Sequence, residues 1–395
     1  MIPEIETILA KLVGFPTLSR KSNLALLDYV EVLLRSAGAR LERFSSEDST
    51  RANLWASLGP AGSGGVVLSG HCDVVPVEGQ DWSRDPFVLH REDGAFYGRG
   101  TADMKGFLAV AIQAMLHAAD RTLEMPLHLA ISYDEEIGCL GVRGMLETLA
   151  TRPERPALCV IGEPTGMRIA NGHKGKRALR ACCHGQEGHS ALAPDALNAL
   201  HLGAAFVGQL QALQVLLEAE GARDGAYDIP YSTVHVGMMS GGTALNIVPN
   251  RCDLDFEIRN VAADDPDAII AKLTQDAESI AASYRNRFAN VRIEIEEVSG
   301  YPGLDTPTDI PAVALLQSLL GRNDPLIKVA FGTEGGLFQD LLGLPTLICG
   351  PGHMAQGHKP NEFVSEAQLA DCAHLLSMII GVLETGVEPA IFAPN

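Results

Sequence analysis

Basic residues are in short supply: 30 Lys and Arg stand against 49 Asp and Glu in 395 residues, a formal net charge of −19 at pH 7. Such a chain repels a phosphate backbone and offers no basic patch for counterion release, so nucleic acid is not expected as a partner and anionic membrane surfaces are disfavoured. Long apolar runs are lacking too, and none is read as reaching the ~18 to 20 residues of a membrane span. The opening MIPEIETILAKLVGF carries two Glu and no basic stretch ahead of its apolar residues, so it reads as an amphipathic helix rather than a signal peptide. CxxC pairs are missing among the eight cysteines (72, 139, 159, 182, 183, 252, 349 and 372), which argues against a thiolate zinc site and fits buried reduced thiols in a cytoplasmic protein. No GxGxxG follows a first strand, which weakens a dinucleotide-dependent oxidoreductase. Internal repeats and low-complexity segments are absent as well.

What remains is a chain that is 46% hydrophobic and 20% charged, in the range of an ordinary globular enzyme, and long enough that two domains are expected. In the first half, strand-like runs (NLWASL, GVVLSGHCDVVP, LHLAISYDEE, ALCVIGEP) alternate with helical periods at Gly106 to about Ala119 and Val142 to Leu149. That alternation predicts an α/β layer domain, with ligands beyond the carboxyl ends of its strands. From about Lys176 the order becomes βαββαβ, a split βαβ, ferredoxin-like module. After Tyr301 the α/β signals return, ending in a helix from Glu366 to Leu383. The expected organisation is a discontinuous catalytic domain, 1–176 and 301–395, with an inserted α+β domain at 177–300.

Potential oxygen and nitrogen ligands cluster where the strands end: His71 and Asp73 in SGHCDVVP, Asp103 in GRGTADMKG, Glu135 and Glu136 in YDEEIG, Glu163 in IGEPT, and His353 and His358 in GPGHMAQGHKPNE. Imidazole and carboxylate without thiolate suit zinc, cobalt or manganese at a catalytic site. His71 and Asp73 are two apart and share a face on an extended strand, so one can bind metal while the carboxylate orients it by accepting the second imidazole N–H. Asp103 lies in a turn bent by Gly98, Gly100 and Gly106, where it either bridges two cations or caps the following helix. Adjacent Glu135 and Glu136 cannot both point one way on an extended segment, which suits one metal ligand and one general base. Residue types alone leave open which Glu does which, and which of His353 and His358 binds.

Together with GQEGHSALAP, GGTALNIVPN and FEIRN, these motifs resemble, in order and over nearly the whole chain, the dinuclear-zinc amidohydrolase and peptidase family that includes deacetylases, desuccinylases, aminoacylases and carboxypeptidases. The resemblance implies a mixed-sheet zinc-hydrolase α/β domain carrying two zinc ions, with cobalt or manganese as alternatives. It implies that His71, Asp103 and Glu163 hold one ion, that Asp103, Glu136 and His358 hold the other, that Glu135 is the general acid/base, and that Asp73 sits under His71. It further implies that the inserted domain is a lid and a homodimer surface, that His189 stabilises an oxyanion, and that Asn246, Arg259, Gly332 and Thr333 bind substrate. The runs GHSALAP, GGTALNIVP, YPGLDTP and FGTEGGLF look more like the acetylornithine deacetylase subgroup than like the desuccinylase, so the partner implied is a small N-acyl amino acid. A non-catalytic metal-binding scaffold would show a lost ligand or base, and here every position is filled.

Overall fold

The computed structural model describes residues 1–322 and 324–386; residues 323 and 387–395 of the expected catalytic domain lie outside the described residues. The chain divides into two compact units, Met1–His173 with Leu304–Asn395, and Lys174–Gly303.

The first unit is built on a nine-stranded mixed sheet. Its strands are β1 (Arg40–Ser45), β2 (Ala52–Leu58), β3 (Val66–His71), β4 (Leu127–Ser132), β5 (Leu158–Pro164), β6 (Ala170–His173), β7 (Leu304–Asp305), β8 (Ile327–Val329) and β9 (Thr346–Gly350). They lie in the order β1-β2-β4-β3-β5-β9-β6-β7, with β8 also on β6. The middle four, β4, β3, β5 and β9, run parallel; β2 pairs antiparallel with β4 and β1 with β2 on one side, and β6 pairs antiparallel with β9 and β7 with β6 on the other. Every residue of β3 and β5 is buried, the pattern of strands covered on both faces. Beside them lies the helix Gly106–Ala118, apolar nearly all round and buried along most of its length. Close approach is written into the sequence at Gly162: a Cβ there would come 1.9 Å from the Phe107 ring, so only glycine lets that helix lie against β5.

Parallel strands end on one edge of a sheet. His71 closes β3, the Tyr133–Glu136 turn follows β4, Glu163 is the penultimate residue of β5, and the segment reaching His358 follows β9. The sheet order therefore gathers residues almost 290 positions apart in the chain at one crevice.

The second unit is a four-stranded antiparallel sheet of Gly175–His184, Thr233–Gly241, Arg251–Asn260 and Arg292–Tyr301, with helices Ala199–Glu220 and Pro266–Ala282. Cys252, Leu254, Phe256 and Ile258 alternate inward along one strand and pack with Leu202, Phe206 and Leu210 of the longer helix. The connectivity is that of a ferredoxin-like βαββαβ module.

The expectation that no apolar stretch is long enough to span a membrane is corrected here. Helices Ala199–Glu220 and Glu366–Thr385 both have the length and hydropathy. Each instead spends its apolar face on a core: Leu210, Leu213 and Leu217 in the second unit, Leu369, Leu376, Ile380 and Leu383 in the first. All eight cysteines are free and seven are buried.

Candidate metal centre

His71, at the end of β3, is 1% exposed. Its Nε2 lies 3.1 Å from Asp103 Oδ1 and 3.6 Å from Glu163 Oε1. The other Asp103 oxygen lies 3.2 Å from His358 Nε2, which in turn is 2.9 Å from Glu136 Oε2. Asp103 thus stands between two imidazoles, one oxygen toward each. It does not cap the following helix: its backbone (φ −128°, ψ 90°) leaves helical geometry, and its carboxylate faces the histidines. Gly100, at φ 83°, makes the bend before it.

The Asp103 turn is fixed by residues that residue typing did not single out. Glu362 accepts N–H groups from Ala102 (2.9 Å) and Asp103 (3.1 Å) and forms a 2.6 Å ion pair with Arg99, both side chains being 1% exposed. Gln80 donates to the His358 carbonyl at 3.0 Å. Opposite charges in GRG and HKPNE were the available signal; their pairing across 263 positions was not.

Asp73 departs in part from the expected arrangement. The nearest acceptor to His71 Nδ1 is the main-chain oxygen of Asp73 at 2.9 Å, and the carboxylate is 3.5 Å away. At that distance the carbonyl, not the carboxylate, sets the imidazole tautomer. The Asp73 carboxylate instead accepts the Glu135 N–H (3.1 Å) and the Ser19 hydroxyl (2.8 Å). Ser19 was not anticipated, nor was Asp134, which takes the Arg20 N–H at 2.6 Å and pairs with Arg51.

The donor set fits divalent cations. Among the described residues, two sets of three ligand atoms are each gathered within 4.8 Å, His71–Glu135–Glu163 and His71–Asp103–Glu136. Glu135 thus stands beside His71 and Glu163 as closely as a ligand would. Glu136 Oε1 is buried and has no hydrogen-bond partner among the described residues, an oxygen with unused coordinating capacity. Four buried or half-buried carboxylates share two imidazoles, and the electrostatics record the excess of acid. Burial and the Asp103 charge push Glu136 up to about 7, and burial and acidic neighbours also raise Glu135 and Glu163 well above the usual range. Asp103, despite burial, is pulled down by its two imidazoles, while hydrogen bonds to Asp103 and Glu136 raise His358 to about 10. Burial opposes charge on His71, yet Asp103, Asp73 and Glu163 hold its pKa well above 6.5.

His353 lies elsewhere. It is exposed, its Nε2 is 3.1 Å from the Gln368 amide, and its backbone bridges to Thr165. Thr333 is fully buried and accepts the Gly335 N–H at 2.9 Å, opening the helix Gly335–Leu342, with Gly332 half-buried before it. Glu334, next in that turn, is 2% exposed, faces Ser132 and is pushed up to about 7 by burial. Within the second unit, His189 and Asn246 line one open cavity of about 950 Å³, and His189 Nδ1 accepts the Ala191 N–H. Arg259 is engaged there by both oxygens of Glu257 and by the Tyr301 hydroxyl at 2.9 Å.

The comparisons bear on family and fold. Residues 67–381 match the profile of peptidase family M20/M25/M40. An acetylornithine deacetylase of Pasteurella multocida (strain Pm70) is 33% identical over 98% of this chain and 99% of its own length, and one of Proteus mirabilis (strain HI4320) is 32% identical over 96% of each. Among solved structures, the M20 family metallo-carboxypeptidase Sso-CP2 of Sulfolobus solfataricus superposes with a TM-score of 0.78 at 18% identity, covering 97% of this chain and 99% of that one. The YXEP protein of Bacillus subtilis, a dinuclear metal binding peptidase, does so at 0.71 and 15% identity over 97% and 99%. With the profile spanning most of its length and its carboxylates and imidazoles gathered at one sheet edge, the chain belongs to peptidase family M20/M25/M40 and is a metal-dependent amidohydrolase.

Proposed function

We propose that this chain hydrolyses the amide bond of a small N-acyl amino acid, N-acetyl-L-ornithine first among them, releasing L-ornithine and acetate as a step of arginine biosynthesis in the cytoplasm. The observation that carries the chemistry is Asp103 set between His71 and His358, flanked by Glu163 and Glu136. The relatives named acetylornithine deacetylase, matched end to end at 32–33% identity, carry the substrate.

His71, Asp103 and Glu163 would hold one zinc ion and Asp103, Glu136 and His358 the other, with cobalt or manganese as alternatives. Bound there, such cations lower the pKa of water toward ~7 and polarise a carbonyl. Glu135 takes the proton of the attacking water and returns it to the leaving amine; its raised proton affinity suits both halves of that transfer. Asp73 holds the Glu135 main chain and supports the loop under His71. In the second unit, which we assign as lid and homodimer surface, His189 stabilises the oxyanion and Asn246 and Arg259 bind the amino-acid carboxylate. Gly332 and Thr333 shape the substrate side through the turn they build.

The test is a release assay on metal-loaded protein with N-acetylornithine, other N-acetyl amino acids, N-succinyl-diaminopimelate and simple dipeptides, with and without chelator. Chelator-sensitive turnover greatest for N-acetylornithine is expected. Preference for another member would discard the substrate and keep the hydrolase, and no turnover on any member would overturn the reading. Sedimentation at micromolar concentration checks the homodimer.

A further inference from the structure

Glu135 is gripped at both ends by groups that bind no metal. Its N–H donates to Asp73 Oδ1 at 3.1 Å, which fixes the main chain. Its carboxylate is met by Cys139, fully buried and four residues on. The Cys139 N–H closes a turn onto the Glu135 carbonyl at 2.8 Å, and a backbone φ of 54° swings Sγ back to 3.3 Å from Glu135 Oε1. Leu140 N–H to the Asp134 carbonyl (3.0 Å) and Arg143 Nε to the Cys139 carbonyl (3.1 Å) lock the same turn. Burial beside acidic groups disfavours a thiolate, so the sulfur carries its proton and donates; it is not a nucleophile. Among the described residues nothing donates to Glu135 Oε2, so that oxygen is left to face the reacting proton.

We propose that Cys139 is a positioning residue for the general base: its thiol pins one oxygen of Glu135 and thereby aims the other. A thiol is a weak donor, so it orients the carboxylate while drawing off less of its basicity than a hydroxyl or an ammonium would. A non-glycine residue held in the left-handed region is uncommon, and here that backbone is what brings the sulfur to the carboxylate. The inference rests on Glu135 being the base, as proposed above.

The experiment compares Cys139→Ala and Cys139→Ser in the full, metal-loaded chain on the best substrate of the panel. Both keep the same Cβ on the same left-handed backbone, and they differ in the donor. Cys139→Ala is expected to lower kcat about tenfold, the worth of one hydrogen bond to a charged group, with KM changed by less than about twofold and metal content unaltered. Cys139→Ser is expected to recover kcat to within about threefold of the parent. Should Cys139→Ala melt below the assay temperature, Cys139→Gly, which relaxes the backbone and also lacks the donor, takes its place. Equal losses in the donor-free and Ser variants, retention of kcat without the donor, or metal lost in step with kcat would each overturn the proposal. Glu135→Gln, run alongside, separates the two readings. If it stays active the base assignment fails and this inference with it, whereas an inactive Glu135→Gln beside a fully active Cys139→Ala removes Cys139 alone.

Discussion

At the scale of single residues, the centre is a competition among carboxylates for too few positive charges, and two substitutions read it out. Glu135→Gln keeps size and removes the base, so turnover is expected to fall by on the order of 10³ while elemental analysis still finds a full complement of metal. Near-normal turnover would take Glu135 out of the role. Glu334 tests the buried-acid electrostatics at a group outside the assigned ligands, though one that feels the charges of His71 and Asp73. Burial raises its pKa from 4.5 to about 7, so the folded chain holds this proton more tightly than the unfolded chain does. Stability from it is therefore present below pH 4.5 and is lost as pH rises through about 7. Linkage puts the loss between pH 5.5 and pH 8 at about 2 kcal/mol, an upper bound for a buried group that can relax. Glu334→Gln mimics the protonated acid, so its melting temperature should fall less over that interval than the parent's. Parallel pH profiles for the two would show that Glu334 ionises as freely when folded as when unfolded.

Elements decide whether those residues meet. Asp103 is useful only because its turn is held by Glu362, and Glu362 is tolerable in the core only because Arg99 pairs with it. Removing one partner of a buried pair leaves an uncompensated charge, so Arg99→Leu is expected to cost about 3 kcal/mol, far more than loss of an exposed pair such as Arg322–Asp371. Metal affinity should fall with it, because the Asp103 turn loosens. Thermal melts and metal titrations of Arg99→Leu beside Asp371→Ala check both, and equal losses would show that burial adds nothing. This scale also marks where the sequence was legible. Strand runs such as RCDLDFEIRN show their alternation openly, and His71, Asp103, Glu136 and His358 could be named from residue type together with family pattern. The Arg99–Glu362 pair, the Ser19 grip on Asp73 and the Cys139 grip on Glu135 depend on which loops face each other, and periodicity carries no such information. The reading of apolar runs also fell short in one respect: two helices whose apolar residues are interrupted by polar ones reach the length and hydropathy of a span, although no unbroken run does, and packing shows where their apolar faces are spent.

For the whole molecule, metal, protons and stability form one linked system. In the metal-free protein Glu136 carries a proton up to about pH 7 and His358 up to about pH 10, both above their unfolded values of 4.5 and 6.5. Each group therefore favours the folded chain at low pH and less so as pH rises through its folded value. A cation needs those same atoms unprotonated, so its binding must release protons, and its affinity must climb with pH over the window in which the metal-free protein weakens. The two trends have opposite signs. The gap in melting temperature between zinc-loaded and chelator-treated protein should be small near pH 5.5 and widen toward pH 8. With one proton displaced per ion, the increment is about 1.4 kcal/mol of binding free energy per pH unit. Paired melts at fixed free zinc across that range, with proton release followed in weakly buffered solution, decide it. A constant gap without released protons would mean that the carboxylates are already ionised in the metal-free chain and that protonation does not relieve the crowding at Asp103.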